Sequence, residues 1–314
     1  MPSSDPAPRM HAHQLDVSAA DVHRLVSAQF PQWAGAPIVR VPSYGTTNAM
    51  FRLGDDKVVR LPFIPGDGVG VPVETAILER VGGRLPVPVP RVLATGRPDD
   101  GYPFTWSVLQ WLPGEMPVPE ALLDSAALID DLVGFLQRLR ELPTAGVRRA
   151  QRSGPLAPLA DPVRETMEEL GVEFDLERLR ALWDDALAAP EWRGAPVWVH
   201  SDLLPSNLLV DERGRLAGVL DWAAAGVGDP SCELLAAWNV FTGADRARFR
   251  ARLEERLGLD DAMWRRGRGW AISQAVLALP YYRETNAGMT EMATRALRAL
   301  EQESVSLRTP GRSS

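Results

Sequence analysis

Lysine is nearly absent from this chain: Lys57 is the single lysine among 34 lysine and arginine residues. A P-loop needs a glycine followed directly by lysine, and Lys57 follows Asp56, so the sequence excludes a P-loop enzyme. A G-x-S-x-G nucleophile elbow is also absent, which excludes a hydrolase built on that turn. The only cysteine, Cys232, excludes an internal disulfide and a thiolate metal cluster, and its apolar helical surroundings predict a buried position.

Long apolar runs are absent too. No stretch approaches the roughly 20 residues that span a bilayer, and the N-terminal sequence lacks a charged region followed by a hydrophobic one. We therefore expect a cytoplasmic protein with no membrane partner. The formal net charge of −7 argues against a nucleic-acid partner, because nucleic acids attract basic surfaces, and it is compatible with a cationic substrate.

Local patterns divide the 314 residues into a β-rich first part and a helical second part. Residues 1–10 are polar and proline-rich, which predicts disorder and leaves open whether translation starts at Met1 or Met10. The predicted elements are a helix capped by Ser18, strands near 38–42, 48–53 and 57–62, a helix near 73–84, strands near 91–95 and 105–112, and helices from about 121 that strands at 196–220 interrupt. These patterns predict an α+β fold with a small lobe over residues 1–112 and a larger helical lobe over 113–314.

The run VHSDLLPSNLLV, followed by VLDW, carries the chemistry of the chain. It places Asp202 five residues before Asn207, and Asp221 after a short hairpin. Magnesium binds carboxylate and amide oxygens, so Asn207 and Asp221 suit it. Asp202 can then accept the proton of an acceptor hydroxyl during phosphoryl transfer. His200 is interpreted as a structural residue that hydrogen-bonds the turn bearing Asp221, not as a general base.

A simpler interpretation exists for each of these residues. A single aspartate before a proline-containing loop is usually a cap or turn former, because its carboxylate accepts nearby backbone N–H groups. The combination favours catalysis, since the His-x-Asp-x4-Asn loop lies between two apolar strands and the DERG turn leads to the strand that delivers Asp221.

The chain resembles the aminoglycoside phosphotransferases and their relatives, which share the bilobal protein-kinase fold. The resemblance runs through HSDLLPSN, LDW and GVGDPSCELL, and upstream through GTTNAMFRLGDDKVVRLPF and YPFTWSVLQWLPGE. It implies that Asp202 is the catalytic base, that Asn207 and Asp221 are Mg²⁺ ligands, and that ATP binds between two lobes. The chain departs from the family in two places: HSD replaces the more usual HGD, and VVRL places Arg60 where the strand normally carries a phosphate-binding lysine.

Arg60 is predicted to replace that lysine at the nucleotide. Side chains alternate along a strand, so Val58 and Arg60 share one face while Lys57 points to the other. A guanidinium can grip phosphate or carboxylate with two N–H groups, so Arg60 could pair with Glu74 on the next helix and with the phosphates. The alternative is a surface arginine on an edge strand.

Two further segments are predicted to contact the nucleotide. The turn SYGTTN could bring the backbone of Thr46 and Thr47 over the phosphates, although an ordinary hairpin turn explains it almost as well. The strand WSVLQWL joins the lobes in a kinase-like fold, and by resemblance the backbone of Gln110 and Leu112 would bind adenine. An ordinary core strand fits its composition equally.

The acceptor is predicted to be a small molecule, because only AAAGVG separates Trp222 from Asp229, which leaves little room to dock a peptide. Irregular sequence at 143–163 could border that acceptor. Side chains that could line its pocket are Trp238, Asn239, Tyr281, Tyr282 and Glu284, although aromatic residues at helical spacing more often belong to the core.

Three functions remain open at this stage. The first is an ATP- or GTP-dependent O-phosphotransferase that inactivates an aminoglycoside, macrolide or nucleoside antibiotic. The second is a metabolic kinase for an amino alcohol or sugar, which would use the same catalytic residues. The third is a catalytically silent nucleotide- or drug-binding protein. The sequence identifies neither the acceptor hydroxyl nor the oligomeric state, for which we expect a monomer.

Overall fold

A computed structural model describes residues 9–42, 45–65 and 70–303. Most of the segment predicted to be disordered, residues 1–8, therefore lies outside the described residues, as do Ser43 and Tyr44 of the SYGTTN turn. None of the described helices is both long and apolar enough to cross a bilayer.

The first part of the chain forms a five-stranded antiparallel sheet. Its strands are β1 (Ile38–Arg40), β2 (Asn48–Leu53), β3 (Lys57–Pro62), β4 (Val92–Gly96) and β5 (Trp106–Gln110), in the spatial order β1-β2-β3-β5-β4. The chain turns between β2 and β3 through Gly54, whose φ of +61° favours glycine. The resulting register opposes Met50 to Arg60, which fixes the face on which the Arg60 side chain lies.

Two helices accompany this sheet. Helix α1 (Ala19–Gln29) begins as predicted with a capping box, in which Ser18 and Asp21 each accept the other's backbone N–H. Helix α2 (Val71–Val81) begins two residues earlier and ends three earlier than the predicted 73–84, because Pro72 lies in its first turn and Gly82 ends it. It buries Glu74 together with Ile77, Leu78 and Val81.

The remainder of the chain is mainly helical, as predicted. Its helices are α3 (Ser125–Arg140), α4 (Ala160–Glu168), α5 (Leu176–Leu187), α6 (Ala236–Asn239), α7 (Gly243–Leu257), α8 (Asp261–Tyr282) and α9 (Ala287–Glu301). Helix α8 is buried on nearly all sides and packs against α5 and α9. Pro280 lies inside α8 and removes a backbone hydrogen bond from its last turn, where Tyr281 and Tyr282 are found.

Two short antiparallel ribbons interrupt these helices and carry the predicted catalytic motif. Strand β7 (Leu208–Val210) pairs with β8 (Leu216–Val219), which confirms the predicted hairpin. Strand β6 (Val197–Val199) pairs with β9 (Gly226–Gly228), which the sequence did not predict because two of the three residues in GVG are glycines, which are depleted in strands.

The apolar core has two parts. One lies on the sheet and α1, and the larger one extends from α3 through the helical region and also includes Ile77, Leu78 and Val81 of α2. The α+β prediction is therefore confirmed. The lobe boundary between residues 112 and 113 remains a prediction.

Candidate active site

A cavity of about 1040 Å³ lies between the sheet and the helical region. The sheet and the segment after it contribute residues from 41 to 116, and the helical region contributes residues from 149 to 289. Asp202, Asn207, Asp221, Arg60 and Glu74 all line this one cavity. The structure thus brings together the residues that the sequence predicted for catalysis, metal binding and phosphate binding.

Asp202 and Asn207 are held together at one end of a tight loop. Asn207 ends a short 3₁₀ helix, Pro205–Asn207, and its Nδ2 donates to the backbone oxygen of Asp202 at 2.8 Å and to Oδ2 of the Asp202 side chain at 3.1 Å. The side chain of Asp202 is 20% exposed, so it remains accessible from the cavity. The amide that could bind a metal therefore also orients the carboxylate that could accept a proton.

The departure from HGD to HSD has a specific geometry. Ser201 has a φ of +65°, a conformation that glycine adopts more easily than serine. Its hydroxyl donates to the carbonyl of Ala224 at 2.9 Å, and its N–H donates to Oε1 of Glu233 at 2.6 Å. These contacts compensate for the unfavourable backbone, and they tie the loop to the segment after Asp221.

Glu233 is a buried anchor of this loop that the sequence analysis missed. It is 1% exposed, and burial raises its pKa to about 7, against the lowering effects of the Ser201 N–H and the charge of Arg140. The sequence signal was weak, because Glu233 lies in an otherwise apolar run that predicted only core packing.

His200 has the structural role that the sequence predicted. Its ring is fully buried, and Nε2 donates to the carbonyl of Leu220 at 2.9 Å, directly before Asp221. It also packs edge-on against Trp222, with ring centroids 4.8 Å apart. Burial lowers the pKa of His200, which favours the neutral imidazole.

Arg60 links Glu74 to Asp221 across the cavity. Its Nη1 donates to Oε2 of Glu74 at 2.5 Å, and its Nη2 donates to Oδ1 of Asp221 at 3.0 Å. The other oxygen of Glu74 accepts the N–H of Trp222 at 3.1 Å. Lys57 does not line the cavity and pairs with Asp56 instead. The structure therefore places Arg60, and not Lys57, on the cavity, and the contact of Arg60 with phosphate stays a prediction.

Burial and charge act in opposite directions on this group of side chains. Burial acts to lower the pKa of Arg60, but the carboxylates of Asp221 and Glu74 outweigh it and raise that pKa, so Arg60 stays cationic. For Glu74, burial prevails over the attraction of Arg60 and raises the pKa of its carboxyl. For Asp221, burial is outweighed by the neighbouring Arg60, and the pKa is lowered. The charged form is therefore favoured at Asp221 and disfavoured by burial at Glu74, where the ion pair with Arg60 opposes that effect.

Asn207 and Asp221 fit a magnesium ion that arrives with a nucleotide. The Nδ2 group of Asn207 is engaged with Asp202, which leaves its amide oxygen as a ligand. The N–H of Leu220 donates to the backbone oxygen of Asn207 at 2.8 Å, so Asp221 follows at the next residue. Among the described residues, no cluster of three or more His, Cys, Asp or Glu side chains could hold a metal by itself. Mg²⁺ typically takes one or two protein oxygens and completes its shell with water and phosphate oxygens, which matches this donor set.

All four residues of the turn and the strand that were predicted to contact the nucleotide lie on the cavity, and their contact with a nucleotide stays a prediction. Thr46, Thr47, Gln110 and Leu112 all line the cavity. However, the N–H of Gln110 donates to the carbonyl of Arg91 at 2.8 Å inside the sheet. The backbone N–H of Gln110 is therefore not available to adenine, and the predicted contact of adenine with the backbone of Gln110 is restricted to its carbonyl oxygen, beside Leu112.

Arg152 contacts the predicted base directly, and the sequence analysis did not identify it. Its Nη1 donates to Oδ1 of Asp202 at 2.8 Å. Arg152 belongs to the irregular segment at 143–163, which was predicted to border the acceptor, and seven residues of that segment, between Arg149 and Leu159, line the cavity. The composition of the segment predicted a loop near the acceptor but gave no indication of which side chain points to Asp202.

The predicted acceptor residues divide into two groups. Tyr281 and Tyr282 line the cavity, whereas Trp238, Asn239 and Glu284 do not. Trp238 is 1% exposed and packs on Trp264 with ring centroids 4.8 Å apart, and Asn239 donates to the carbonyl of Leu235. Glu284 is an exposed residue beyond the end of α8. The structure thus places these three residues in the core or at the surface and corrects their predicted contact with the acceptor.

The segment before α1 connects the two sides of the cavity. His11 Nε2 donates to the carbonyl of Thr46 at 2.5 Å, and His11 Nδ1 then accepts the hydroxyl of Tyr281 at 2.7 Å. Nearby, the N–H of Leu15 donates to the carbonyl of Phe63 at 2.7 Å. We call residues 9–16 the N-terminal strap. It bridges a predicted nucleotide-binding residue and a predicted acceptor residue.

Comparison with solved structures identifies the fold. A GDP complex of wild-type aminoglycoside 2'-phosphotransferase-IIIa superposes with a TM-score of 0.69 at 18% identity, over 91% of this chain and 99% of that one. Macrolide 2'-phosphotransferase type I superposes with a TM-score of 0.59 at 20% identity, over 90% and 98% of the two chains. The kinase-like fold that the sequence predicted is thereby confirmed.

Comparison with curated sequences gives partial matches. An aminoglycoside 3'-phosphotransferase of Escherichia coli is 27% identical over 172 residues, which cover 52% of this chain and 61% of that protein. The uncharacterized protein YcbJ of Bacillus subtilis is 34% identical over 91 residues, or 28% of each chain. This chain thus matches less than two thirds of the length of either relative. The sequence model described as "Phosphotransferase enzyme family" (APH) matches residues 38–270, well over half of the chain, and the chain therefore belongs to that phosphotransferase family.

Proposed function

We propose that this phosphotransferase moves the γ-phosphoryl group of ATP or GTP to a hydroxyl group of a small molecule of the antibiotic type. The observation that carries the proposal is the convergence of Asp202, Asn207 and Asp221, together with Arg60, on one cavity. Phosphoryl transfer depends mainly on positioning and on electrostatic stabilisation, and these residues supply both.

Each residue has a defined part in the proposed reaction. Arg60, held by Glu74, binds nucleotide phosphate oxygens through its fixed N–H groups. A bound Mg²⁺, with Asn207 and Asp221 as its protein ligands, would neutralise charge on the phosphates. Asp202 accepts the proton of the acceptor hydroxyl while the bond from that oxygen to phosphorus forms and the bond from phosphorus to the nucleoside diphosphate oxygen breaks. Leu112 and the turn at Thr46 and Thr47 position the nucleotide.

The antibiotic type of acceptor is supported by what similar proteins act on. The matched proteins are named as aminoglycoside and macrolide phosphotransferases, and one related structure is a complex with GDP and kanamycin. A metabolic kinase for a hydroxyl compound is the second candidate. It is favoured by the acceptor side of the cavity, which carries Arg149 and Arg152 and, within the described residues, has no carboxylate besides those assigned above. A silent binding protein is disfavoured, because Asp202 keeps the contacts of a positioned base.

Substitution of the base tests this function. The chain is incubated with Mg²⁺, labelled ATP or GTP, and a panel of antibiotics and metabolites, and phosphate on the acceptor is measured. Asp202→Asn keeps an acceptor oxygen for Arg152 or Asn207, so nucleotide binding should persist, while turnover should fall at least ~100-fold because the proton acceptor is lost.

The matched control is Asp184→Asn, which changes an exposed aspartate paired with Arg164 on the surface. It should leave turnover unchanged. Full transfer activity in Asp202→Asn would show that Asp202 is not the base of the reaction. A chain that binds nucleotide but phosphorylates nothing would favour the silent protein.

A further inference from the structure

The acceptor side of the cavity has an unusual distribution of charge. Three carboxylates line the cavity, and all of them are already paired: Glu74 and Asp221 with Arg60, and Asp202 with Arg152. No other aspartate or glutamate of the described chain lines it. An acceptor with several ammonium groups would therefore find no free carboxylate, and it would meet the charges of two arginines.

Those two arginines, Arg149 and Arg152, lie on one segment held against β9. The N–H of Val227 donates to the carbonyl of Arg148 at 2.9 Å, the N–H of Ala150 donates to the carbonyl of Val227 at 3.1 Å, and the N–H of Gln151 donates to the carbonyl of Ala224 at 2.9 Å. Backbone pairing thus sets the position of both arginines next to the catalytic loop.

Gly226 makes this close approach possible. A Cβ atom at Gly226 would lie 2.5 Å from the carbonyl oxygen of Arg148, so any other residue would force the segment away. The glycine-rich strand β9, which lacks the usual side chains of a strand, is therefore the element that brings the arginines to Asp202.

Arg149 is free to bind a ligand. Within the part of the chain that the structure describes, it is exposed, forms no ion pair, and lines both this cavity and a second, smaller one next to it. Arg152 forms one ion pair, with Asp202, its Nη1 also donates to the carbonyl of Ser201 at 3.5 Å, and its side chain is 33% exposed. A guanidinium binds a carboxylate or phosphate through two parallel N–H groups, and such charge-assisted bonds are about twice as strong as neutral ones. An anionic group on the acceptor would also compete with Asp202 for Arg152 and free the base.

The rest of this wall is apolar and aromatic. It is formed by Pro155, Pro158, Leu159, Trp270, Leu277 and Met289. Two buried polar atoms on the wall, Nε1 of Trp270 and Oε1 of Gln274, have no hydrogen-bond partner in the described chain. A pocket with apolar walls and a few polar groups suits an acceptor with an apolar body and one fixed polar end.

We propose that the acceptor is a hydroxyl compound with an apolar body and an anionic group, a carboxylate or a phosphate, which binds Arg149 and Arg152, and that polycationic amino sugars are poor acceptors. This inference rests on the proposed phosphotransferase function and specifies its substrate. The net charge of the chain, −7, is compatible with a cationic acceptor. The acceptor side of the cavity carries the positive charges of Arg149 and Arg152 instead, and this local charge argues against such an acceptor.

The test uses the full chain with Mg²⁺ and ATP or GTP and four acceptor probes. They are 3-phenyllactate for a carboxylate, thymidine monophosphate for a phosphate, 3-phenyllactamide as the neutral analogue of the first, and kanamycin as the polycation. Phosphorylated products are measured by mass spectrometry, and nucleotide binding is measured separately by thermal shift. We expect product from one or both anionic probes, and at least tenfold less from the amide and from kanamycin.

Charge reversal provides the second arm. Arg149→Glu should lower kcat/KM for the anionic probe at least tenfold, mainly through KM. The matched control, Arg193→Glu, reverses the charge of an exposed arginine that does not line the cavity, and its kcat/KM should stay within twofold of the unmodified chain.

Five outcomes are informative. Product from the carboxylate or the phosphate probe identifies which anion the arginines bind. Preference for kanamycin, absence of product from both anionic probes, or an unchanged KM in Arg149→Glu would each overturn this inference. Failure of the unmodified chain to bind nucleotide would instead count against the proposed function.

Discussion

Removal of the Arg60 guanidinium should lower the free energy of unfolding by more than the loss of an exposed ion pair would, because Arg60 belongs to a buried ion-pair network. Arg60 is 7% exposed and Glu74 is 5% exposed, so neither charge is solvated by bulk water. Arg60→Met fills much of the same space but leaves the Glu74 carboxyl without its cationic partner. Breaking a buried pair from one side costs about 3–5 kcal/mol, because the remaining group stays buried and uncompensated. The partly exposed Asp221 should contribute less to this loss.

A double-mutant cycle separates the pair from the loss of packing. Glu74→Gln keeps the shape of the side chain and an oxygen that can accept the N–H of Trp222. If the pair is the cause, the double variant Arg60→Met with Glu74→Gln should be more stable than the sum of the two single losses predicts, by at least ~1 kcal/mol. Urea unfolding of the four proteins, followed by tryptophan fluorescence, gives the free energies.

An exposed pair serves as the control. Arg180 pairs with Glu168, and their side chains are 43% and 62% exposed. Arg180→Ala should therefore cost no more than about 1 kcal/mol. If Arg60→Met costs no more than Arg180→Ala, or if the cycle shows additive losses, the buried network does not stabilise the protein as described. The same variant should also raise the KM for the nucleotide, since the proposed phosphate ligand is gone.

Two further predictions concern the anchors of the catalytic loop. The free energy of unfolding of Ser201→Gly should stay within about 1 kcal/mol of that of the unmodified chain, because relief of the positive φ offsets the lost hydrogen bond to Ala224. Ser201→Ala keeps the positive φ and loses the same hydrogen bond, so it should lower the free energy of unfolding by about 1 kcal/mol. Equal urea midpoints for the two variants would contradict this reasoning. Burial raises the pKa of Glu233 to about 7, so its contribution to the free energy of unfolding is fully present below the unfolded pKa of about 4.5. That contribution, about 3 kcal/mol, is lost as the pH rises towards about 7. Glu233→Gln should remove this part of the pH dependence, and an unchanged profile of unfolding free energy against pH would show that Glu233 is not the group responsible.

The sequence predicted those parts of the site that local geometry determines. Side-chain alternation on β3 was sufficient to choose Arg60 over Lys57, because it depends only on the strand itself. The loop from Asp202 to Asn207 and the hairpin to Asp221 were predicted for the same reason, since each is a short segment with its own turn signals. The capping box at Ser18 is another such local feature.

The sequence could not predict residues placed by distant pairing. Arg152 reaches Asp202 only because its segment pairs with β9, a strand that composition does not reveal. The predicted acceptor contact of Trp238 and Asn239 was wrong for a different reason. Their spacing indicated a helix, but α6 is a four-residue helix buried on all sides, so it presents no face to the cavity. Helical periodicity identifies the faces of long amphipathic helices and carries little information for such a short one.

The N-terminal strap has a practical consequence for anyone who produces this protein. His11 bonds both Thr46 and Tyr281, so the first described residues of the chain link two lining residues of the cavity, one after β1 and one at the end of α8. An affinity peptide fused ahead of Met1 would be joined ten residues before that histidine. Kinetic constants should therefore be compared before and after such a peptide is cleaved, since residues 9–16 contact residues that line the cavity.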